Sequence, residues 1–574
     1  MTRNLFCKRA LALLLACLSL LLTACSGGSD EVITTDGGLS SDNPTVEETQ
    51  QPTVEEDPRL LYNGIYLPEA WPPADVSKNF NQVIEAPYLS EISEGGMHPD
   101  VVNIDVGRQL FVDDFLIDST TLETVFHKPT TYENNPVFKT DLAYGFHFKH
   151  GGMWYNEKKG IIEMWYNLGN GVGYAYSSDG INWTDEGAVF EFADKKGGYA
   201  TVIKDTNAGP DDPQFYMLVR RSNGYHDPNS EEKDHEHYPT LIYYSFTGKK
   251  WMPVGTAATS GDASSLIYNP FRDVWQLSLR RSYKTKPYVL GRCRDYLELP
   301  SLLNLENAKD ENVVFWLRAD KDDVWHSKLN FQPEIYSMCA VGYESIMLGA
   351  FQMLQGPENK EMAATGIPKI TNIVLGYSRD GFYYTRPDRT SFLESSEIPD
   401  AWDRGYLHEV GSVCLIVGDE LWFYYTGYKG DQSLAGTSST GGALHYCSVG
   451  LAKLRRDGFA SLTGTGSVTT RKMTVTQGQK YLFVNAKASS LKAEILDANG
   501  NVMAGYSMAE CTPFSGDSTC AMLKWGDKDL SHLSGTEFSI RFEMTDGDFY
   551  AFWLSATEAG DSNGQTAGGV VKLS

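Results

Sequence analysis

From Ile161 onward the chain is written in short runs that alternate apolar with polar residues or are apolar throughout. They are I-I-E-M-W-Y-N from Ile161, Q-F-Y-M-L-V-R-R from Gln214, V-W-Q-L-S-L-R-R from Val274, I-M-L-G-A-F from Ile346 and E-L-W-F-Y-Y-T from Glu420. A period of two, or a short unbroken apolar run, marks a strand with one or both faces buried. Turns of a common grammar follow: Y-S-S-D-G-I-N-W at 176–183, Y-S-F-T-G-K-K-W at 244–251 and Y-S-R-D-G-F-Y-Y at 377–384, with looser copies at 293–299 and 454–459. Five such units at about 70 residues each suit four-stranded antiparallel blades with long loops, and an irregular β-sandwich is the competing arrangement. Beyond residue 460 the strands shorten, at 480–485, 491–496, 502–507, 538–544 and 549–554, around the turns D-A-N-G and T-D-G-D. The pattern therefore predicts an all-β protein, a five-bladed β-propeller with an N-terminal extension over 58–459 followed by an antiparallel β-sandwich over 460–574.

The amino terminus follows a different rule. Arg3, Lys8 and Arg9 precede an apolar run from Ala10 to Leu22, and Leu-Thr-Ala-Cys closes it at Cys25. The run is shorter than a spanning helix needs. It reads as a signal peptide over 1–25 whose end resembles the lipobox of bacterial lipoproteins, with Cys25 acylated. Residues 26–57 hold nine acidic side chains and no Lys or Arg, so they are expected to form a disordered tether. The expected location is the bacterial cell envelope, lipid-anchored at the outer membrane, on its periplasmic face or the cell surface.

Charge and cysteines narrow the chemistry. With 74 Asp plus Glu against 49 Lys plus Arg the formal charge is −25, which argues against nucleic acid as a partner. Cys293, Cys339, Cys414 and Cys447 lie in strand-like contexts and are expected as buried thiols, whereas Cys511 and Cys520 are close enough in sequence to close a loop. No C-x-x-C pair is present, which excludes a finger-type zinc site. The cluster Asp234-His235-Glu236-His237 falls in a charged loop and reads as a solvated insertion.

A five-unit β body followed by a sandwich, with Q-L-F-V-D-D-F-L-I at 109–117, N-P-V-F at 135–138 and G-L-A-K-L-R-R-D-G-F at 450–459, resembles bacterial proteins related to glycoside hydrolase families 32 and 43. That resemblance implies a propeller whose central funnel holds an Asp base and a Glu acid. The family 32 signature W-M-N-D-P-N-G is absent, Arg294-Asp295-Tyr296 echoes R-D-P in part, and Glu344 follows Tyr343 without the Cys of the family's E-C. Family 43 relatives place a His near a central calcium. His408 could therefore border a structural calcium, although no cofactor is required.

In a propeller the starts of the first strands and the ends of the second strands converge on one mouth. The expected starts supply Asp141 with His147 and His150, then Tyr199, Asp262, Tyr343 with Glu344, and His408 with Glu409. Glycoside cleavage needs one protonated and one ionised carboxyl, and crowding carboxylates in a partly dry funnel separates their pKa values in that direction. The assignment is Asp141 as base or nucleophile, Asp262 as positioning carboxylate and Glu344 as acid, with Glu409 in reserve. Arg220-Arg221 and Arg280-Arg281 end second strands, and alternation sends one of each pair inward. Guanidinium forks suit carboxylate or sulfate, so the expected substrate is an acidic oligosaccharide, uronate or sulfated, cut from its end by a monomeric enzyme. The competing function is a non-catalytic glycan-binding surface lipoprotein, in which the arginines neutralise neighbouring carboxylates. Trp154, Trp165, Trp183, Trp251 and Trp275 are expected as core spacers and Tyr144, Tyr199 and Tyr343 as sugar platforms.

Overall fold

The computed structural model describes residues 57–90, 96–139, 146–192, 198–221, 238–284, 286–287, 289–409, 411–476 and 478–573, with the side chains of 146–150, 221 and 409 outside that description. The leader with Cys25, the tether up to residue 56, Asp141, Tyr144 and the 234–237 cluster all lie outside the described residues.

Four antiparallel sheets of four strands follow one another. The first is Phe146–Asn156, Ile161–Leu168, Gly171–Ser177 and Thr184–Glu191; the second is Gly198–Lys204, Phe215–Arg221, Tyr238–Ser245 and Met252–Ser260. The third is Ser265–Asn269, Val274–Tyr283, Gly291–Leu299 and Val314–Leu317. In the fourth, Glu334–Glu344, Ile346–Gly356 and Ile370–Ser378 are joined by Gln565–Thr566 from far along the chain. First strands of successive sheets lie side by side, giving a propeller-like arrangement.

The expected fifth four-stranded blade is replaced by a larger sheet. Leu415–Val417, Glu420–Tyr428 and Cys447–Arg455 recruit Gly405–Glu409, Thr130–Thr131, Phe138–Lys139 and Val570–Val571 into seven strands. Four units, not five, are thus regular four-stranded sheets, because this one draws edge strands from distant parts of the chain.

The repeated turn has a local cause. Ser177 Oγ accepts from Gly180 N at 2.8 Å, Ser245 Oγ from Gly248 N at 2.9 Å and Ser378 Oγ from Gly381 N at 2.9 Å. Each glycine has φ between 72° and 81°, a region that costs a Cβ. Their carbonyls accept from a neighbouring sheet: Tyr424 Oη at 2.9 Å on Gly180, Trp165 Nε1 at 2.7 Å on Gly248 and Gln276 Nε2 at 3.0 Å on Gly381. The turns therefore dock one sheet onto the next. Trp154, Trp165 and Trp275 are buried in the core between sheets.

Past residue 460 the strands Ala460–Thr470, Met473–Thr474, Tyr481–Asp497, Phe514–Leu523 and Phe538–Ser555 share a nine-stranded sheet with Val102–Asn103, Gln109–Leu110, Ile117–Thr120 and Glu123–Phe126. The two short strands expected at 480–485 and 491–496 are one strand of 17 residues, paired along its length with Phe538–Ser555. Its polar interruption N-A-K-A-S-S made it look like two. Residues 102–126 belong to this sheet by pairing, with Phe111 against Phe549 and Phe552, and not to the propeller-like sheets. Cys511 is buried and Cys520 exposed, each a free thiol, and Cys293, Cys339, Cys414 and Cys447 are buried thiols.

Candidate functional site

Strand starts of the third and fourth sheets and strand ends of the second and third come together at one mouth. Asp262 lies in the turn that opens Ser265–Asn269, where Ala263 holds φ 60°. Arg280, near the end of the neighbouring strand, places Nε 2.6 Å from Asp262 Oδ1 and 2.9 Å from its carbonyl. Gly261 makes room for this, since a Cβ there would stand 2.5 Å from the Arg280 guanidinium. Arg294, fully buried, ties the two sheets beneath the mouth by donating to the carbonyls of Ala263 at 2.8 Å and Tyr336 at 3.2 Å. The partial R-D-P echo is thus a structural clamp.

A second carboxylate enters from the adjacent sheet. Glu334 opens the strand Glu334–Glu344, and Arg292 Nη1 donates to its Oε2 at 2.5 Å. Gly291 clears the space, because a Cβ there would meet Glu334 Oε1 at 2.0 Å. The Arg292 guanidinium also lies 5.2 Å from the Tyr336 ring centre; burial lowers its pKa, but Glu334 foremost, with Tyr336 and Asp262, outweighs burial and holds it above its ordinary value. Tyr336 Oη donates to Asp262 Oδ2 at 3.3 Å and accepts from Tyr406 Oη at 2.8 Å. Tyr406 stacks on the buried His408 at 5.1 Å, and burial pushes its phenol well above the usual range. Tyr199 pairs across its sheet with Arg220, whose guanidinium lies over Tyr238 at 4.3 Å.

Of the residues singled out from sequence, the structure brings Asp262, Arg280, Arg220, Tyr199 and His408 together. Arg281 points away, to Asp310 at 2.8 Å and Asp295 at 3.6 Å. Asp141 is outside the described residues, as are the side chains of His147, His150, Arg221 and Glu409, whose backbones stand in strands.

Glu344 and Tyr343 are corrected. They end an 11-residue strand instead of starting one, which puts Glu344 roughly 30 Å from Glu334 at about 3.3 Å per residue. There Glu344 is buried, accepting from Arg456 Nη2 at 2.9 Å, Ser562 Oγ at 2.7 Å and Arg108 N at 3.1 Å. Tyr343 Oη donates to Asp457 at 2.5 Å, and Arg108 Nη1 donates to the same carboxylate at 2.7 Å. Burial raises the Asp457 pKa, but Arg108 and Arg456 outweigh it and hold the carboxyl below its ordinary value. This is a structural junction between the fourth sheet and the nine-stranded sheet, and Tyr343 is no sugar platform.

Sequence reasoning missed Glu334, Arg292, Tyr336 and Tyr406. The available signal was Q-P-E-I-Y at 332–336, a proline directly before an apolar run. The rings of Tyr336 and Tyr406 lie beside His408, at 5.9 and 5.1 Å between centres. Among the described residues no group of three His, Cys, Asp or Glu is placed to hold a metal. A separate open cleft of about 470 Å³ is lined by Trp402, Tyr446, Lys429 and Asp400, but its Lys429–Asp400 pair is solvent-facing and nothing there converges as at the mouth.

No protein-family model matches the chain, and no curated protein matches it. Among solved structures it is similar to a putative glycoside hydrolase from Bacteroides ovatus, at 13% identity over 57% of this chain and 97% of that one, TM-score 0.37. A family 43 arabinoxylan arabinofuranohydrolase from Bacillus subtilis aligns at 10% identity over 74% and 98%, TM-score 0.32. An exo-β-1,3-galactanase from Phanerochaete chrysosporium aligns at 10% identity over 75% and 100%, TM-score 0.32.

Proposed function

We propose that the protein is a glycoside hydrolase that trims the ends of an oligosaccharide held in this mouth, with the seven-stranded sheet serving as the fifth blade that closes the ring. The observation that carries the reading is the convergence of Asp262 and Glu334, each on its own guanidinium and joined through Tyr336 and Arg292. Hydrolysis breaks the bond between the anomeric carbon and the glycosidic oxygen, with a proton given to that oxygen and a hydroxyl from water left on the carbon. Glu334 takes the acid role expected of Glu344. Asp262, with both oxygens fixed by Arg280 and Tyr336, positions and tunes. Asp141 stays the proposed base or nucleophile. The sugar would carry an anionic group, and the body would act as a monomer.

Reducing-end release from acidic, sulfated and neutral oligosaccharides tests this. Glu334→Gln, Asp262→Asn and Asp141→Asn should each cut turnover by about 10²–10⁴-fold, the usual weight of an acid or base, while Glu344→Gln stays within a few-fold. The ion pairing of both mouth carboxylates favours a second reading, a glycan-binding protein. Thermal stabilisation by a glycan without any release would select it. We also propose that Cys25 carries the lipid that tethers the body to the envelope at the outer membrane. Labelling with a fatty acid that persists in Cys25→Ser would overturn that.

A further inference from the structure

The arginines of the mouth are not equivalent. Arg280 is spent on Asp262 at 2.6 Å, Arg292 on Glu334 at 2.5 Å, and the outward Arg281 on Asp310 at 2.8 Å. Arg220 is different. Its residue is 7% exposed, its guanidinium lies over the Tyr238 ring, and among the described residues its Nε has no hydrogen-bond acceptor and no carboxylate comes within ion-pair distance. Asp262 and Arg280 both act on it electrostatically, which places it with them at the mouth. Burial is the main influence on its pKa and lowers it, with Asp262 acting in the opposite sense.

A buried guanidinium N–H without an acceptor is destabilising unless something else satisfies it. The described groups at the mouth are three guanidiniums, Arg220, Arg280 and Arg292, against two carboxylates, Asp262 and Glu334. Arginine matches a planar or tetrahedral oxyanion through paired N–H donors, and an aromatic face beneath it holds the fork in one plane. Tyr199, opposite Arg220 in the sheet register, adds a phenol beside it.

We propose that Arg220 is the docking group for an oxyanion carried by the sugar in the mouth, a uronate carboxylate or a sulfate ester. The inference deepens the glycoside hydrolase reading and names its substrate class. It assigns recognition to Arg220 and leaves Arg280 and Arg292 to hold the carboxylates. The anion completes the pairing left open among the described residues, so the sugar is oriented by the same contact that selects it.

Binding of galacturonate, glucuronate and galactose 6-sulfate to the whole chain, measured by calorimetry beside galactose and glucose, tests the assignment and separates carboxylate from sulfate. The anionic sugars should bind about 10–100-fold more tightly than their neutral parents, as expected of a charge-assisted pair. Arg220→Met should abolish the difference and Arg220→Lys should retain part of it, whereas Arg281→Gln should leave it intact. Should Arg220→Met fail to fold, Arg220→Lys still decides, since it keeps the charge but loses the fork. Equal binding of neutral and anionic sugars, no binding of any anionic probe, or a preference that survives Arg220→Met would overturn the proposal. Release from neutral oligosaccharides that is lost in Glu334→Gln would refute the anion site while keeping the hydrolase. Selective anionic binding without release would do the reverse.

Discussion

Asp179 and Asp380 occupy the same turn and are shifted in opposite directions. Each accepts two backbone N–H groups and a serine hydroxyl, at 2.8–3.0 Å. Burial raises both, but at Asp179 the hydrogen bonds win and the pKa falls to about 2, whereas fully buried Asp380 rises to about 6. Asp205 and Asp295 are likewise raised to about 6, chiefly by burial. A carboxyl whose folded pKa exceeds its unfolded value of 3.8 binds an extra proton in the native state between the two. Its contribution is therefore present below 3.8 and lost as pH rises through about 6. Thermal midpoints should fall as pH is raised from 5 to 7, and Asp380→Asn should remove about 1.4 kcal/mol of that loss, the share of one carboxyl crossing the one unit between pH 5 and its pKa of about 6. An unchanged slope would count against the assignment. Glu344→Gln leaves Arg108 and Arg456 without one acceptor in a buried network, and denaturant titration should show a loss of about 3 kcal/mol. Asp262 and Arg280 were legible because a carboxylate before one strand and an Arg ending the next must meet in any propeller-like sheet. Glu334 was not, because the hairpin at Glu344 and Ser345 lacks the Gly, Pro or Asn that announces a turn. Glu344 itself takes φ 48°, so the turn is hidden inside an apolar run.

At the scale of elements, the Y-S-x-D-G turns and the Y-S-F-T-G copy were legible because their serine, their aspartate or threonine and their glycine each perform a local task. What the repeat did not disclose is that the glycine also docks the neighbouring sheet. A Cβ at Gly248 would lie 2.3 Å from Trp165 Cζ2, on top of a left-handed backbone that alone costs about 1–2 kcal/mol. Gly248→Ala should therefore destabilise well beyond that figure in urea, and Gly187→Ala, with nothing within 4 Å, should cost only the backbone part. Similar losses at both positions would refute inter-sheet docking. The strands beyond residue 460 differ from the sequence pattern for a related reason. A long strand that bends over a polar stretch looks like two, and pairing partners that lie hundreds of residues away leave no local mark.

The whole molecule is stitched rather than divided. Residues 102–126 pair with strands beyond 460, Thr130–Thr131 and Phe138–Lys139 pair with Cys447–Arg455, and Gln565–Thr566 and Val570–Val571 pair with the fourth and the seven-stranded sheets. One cooperative unfolding transition is expected for residues 57–574 by calorimetry, and two separate transitions would show that the sheets are independent. Removal of 564–574 should lower the melting temperature of the entire body, not of one part. The segment at 565–571 also imposes a timetable. At roughly 5–20 residues per second, the strand ending at Tyr343 emerges on the order of ten to forty seconds before Thr566, its partner. The end of that strand must therefore wait without its partner while the rest of the chain is made, and it is the strand whose other end carries Glu334.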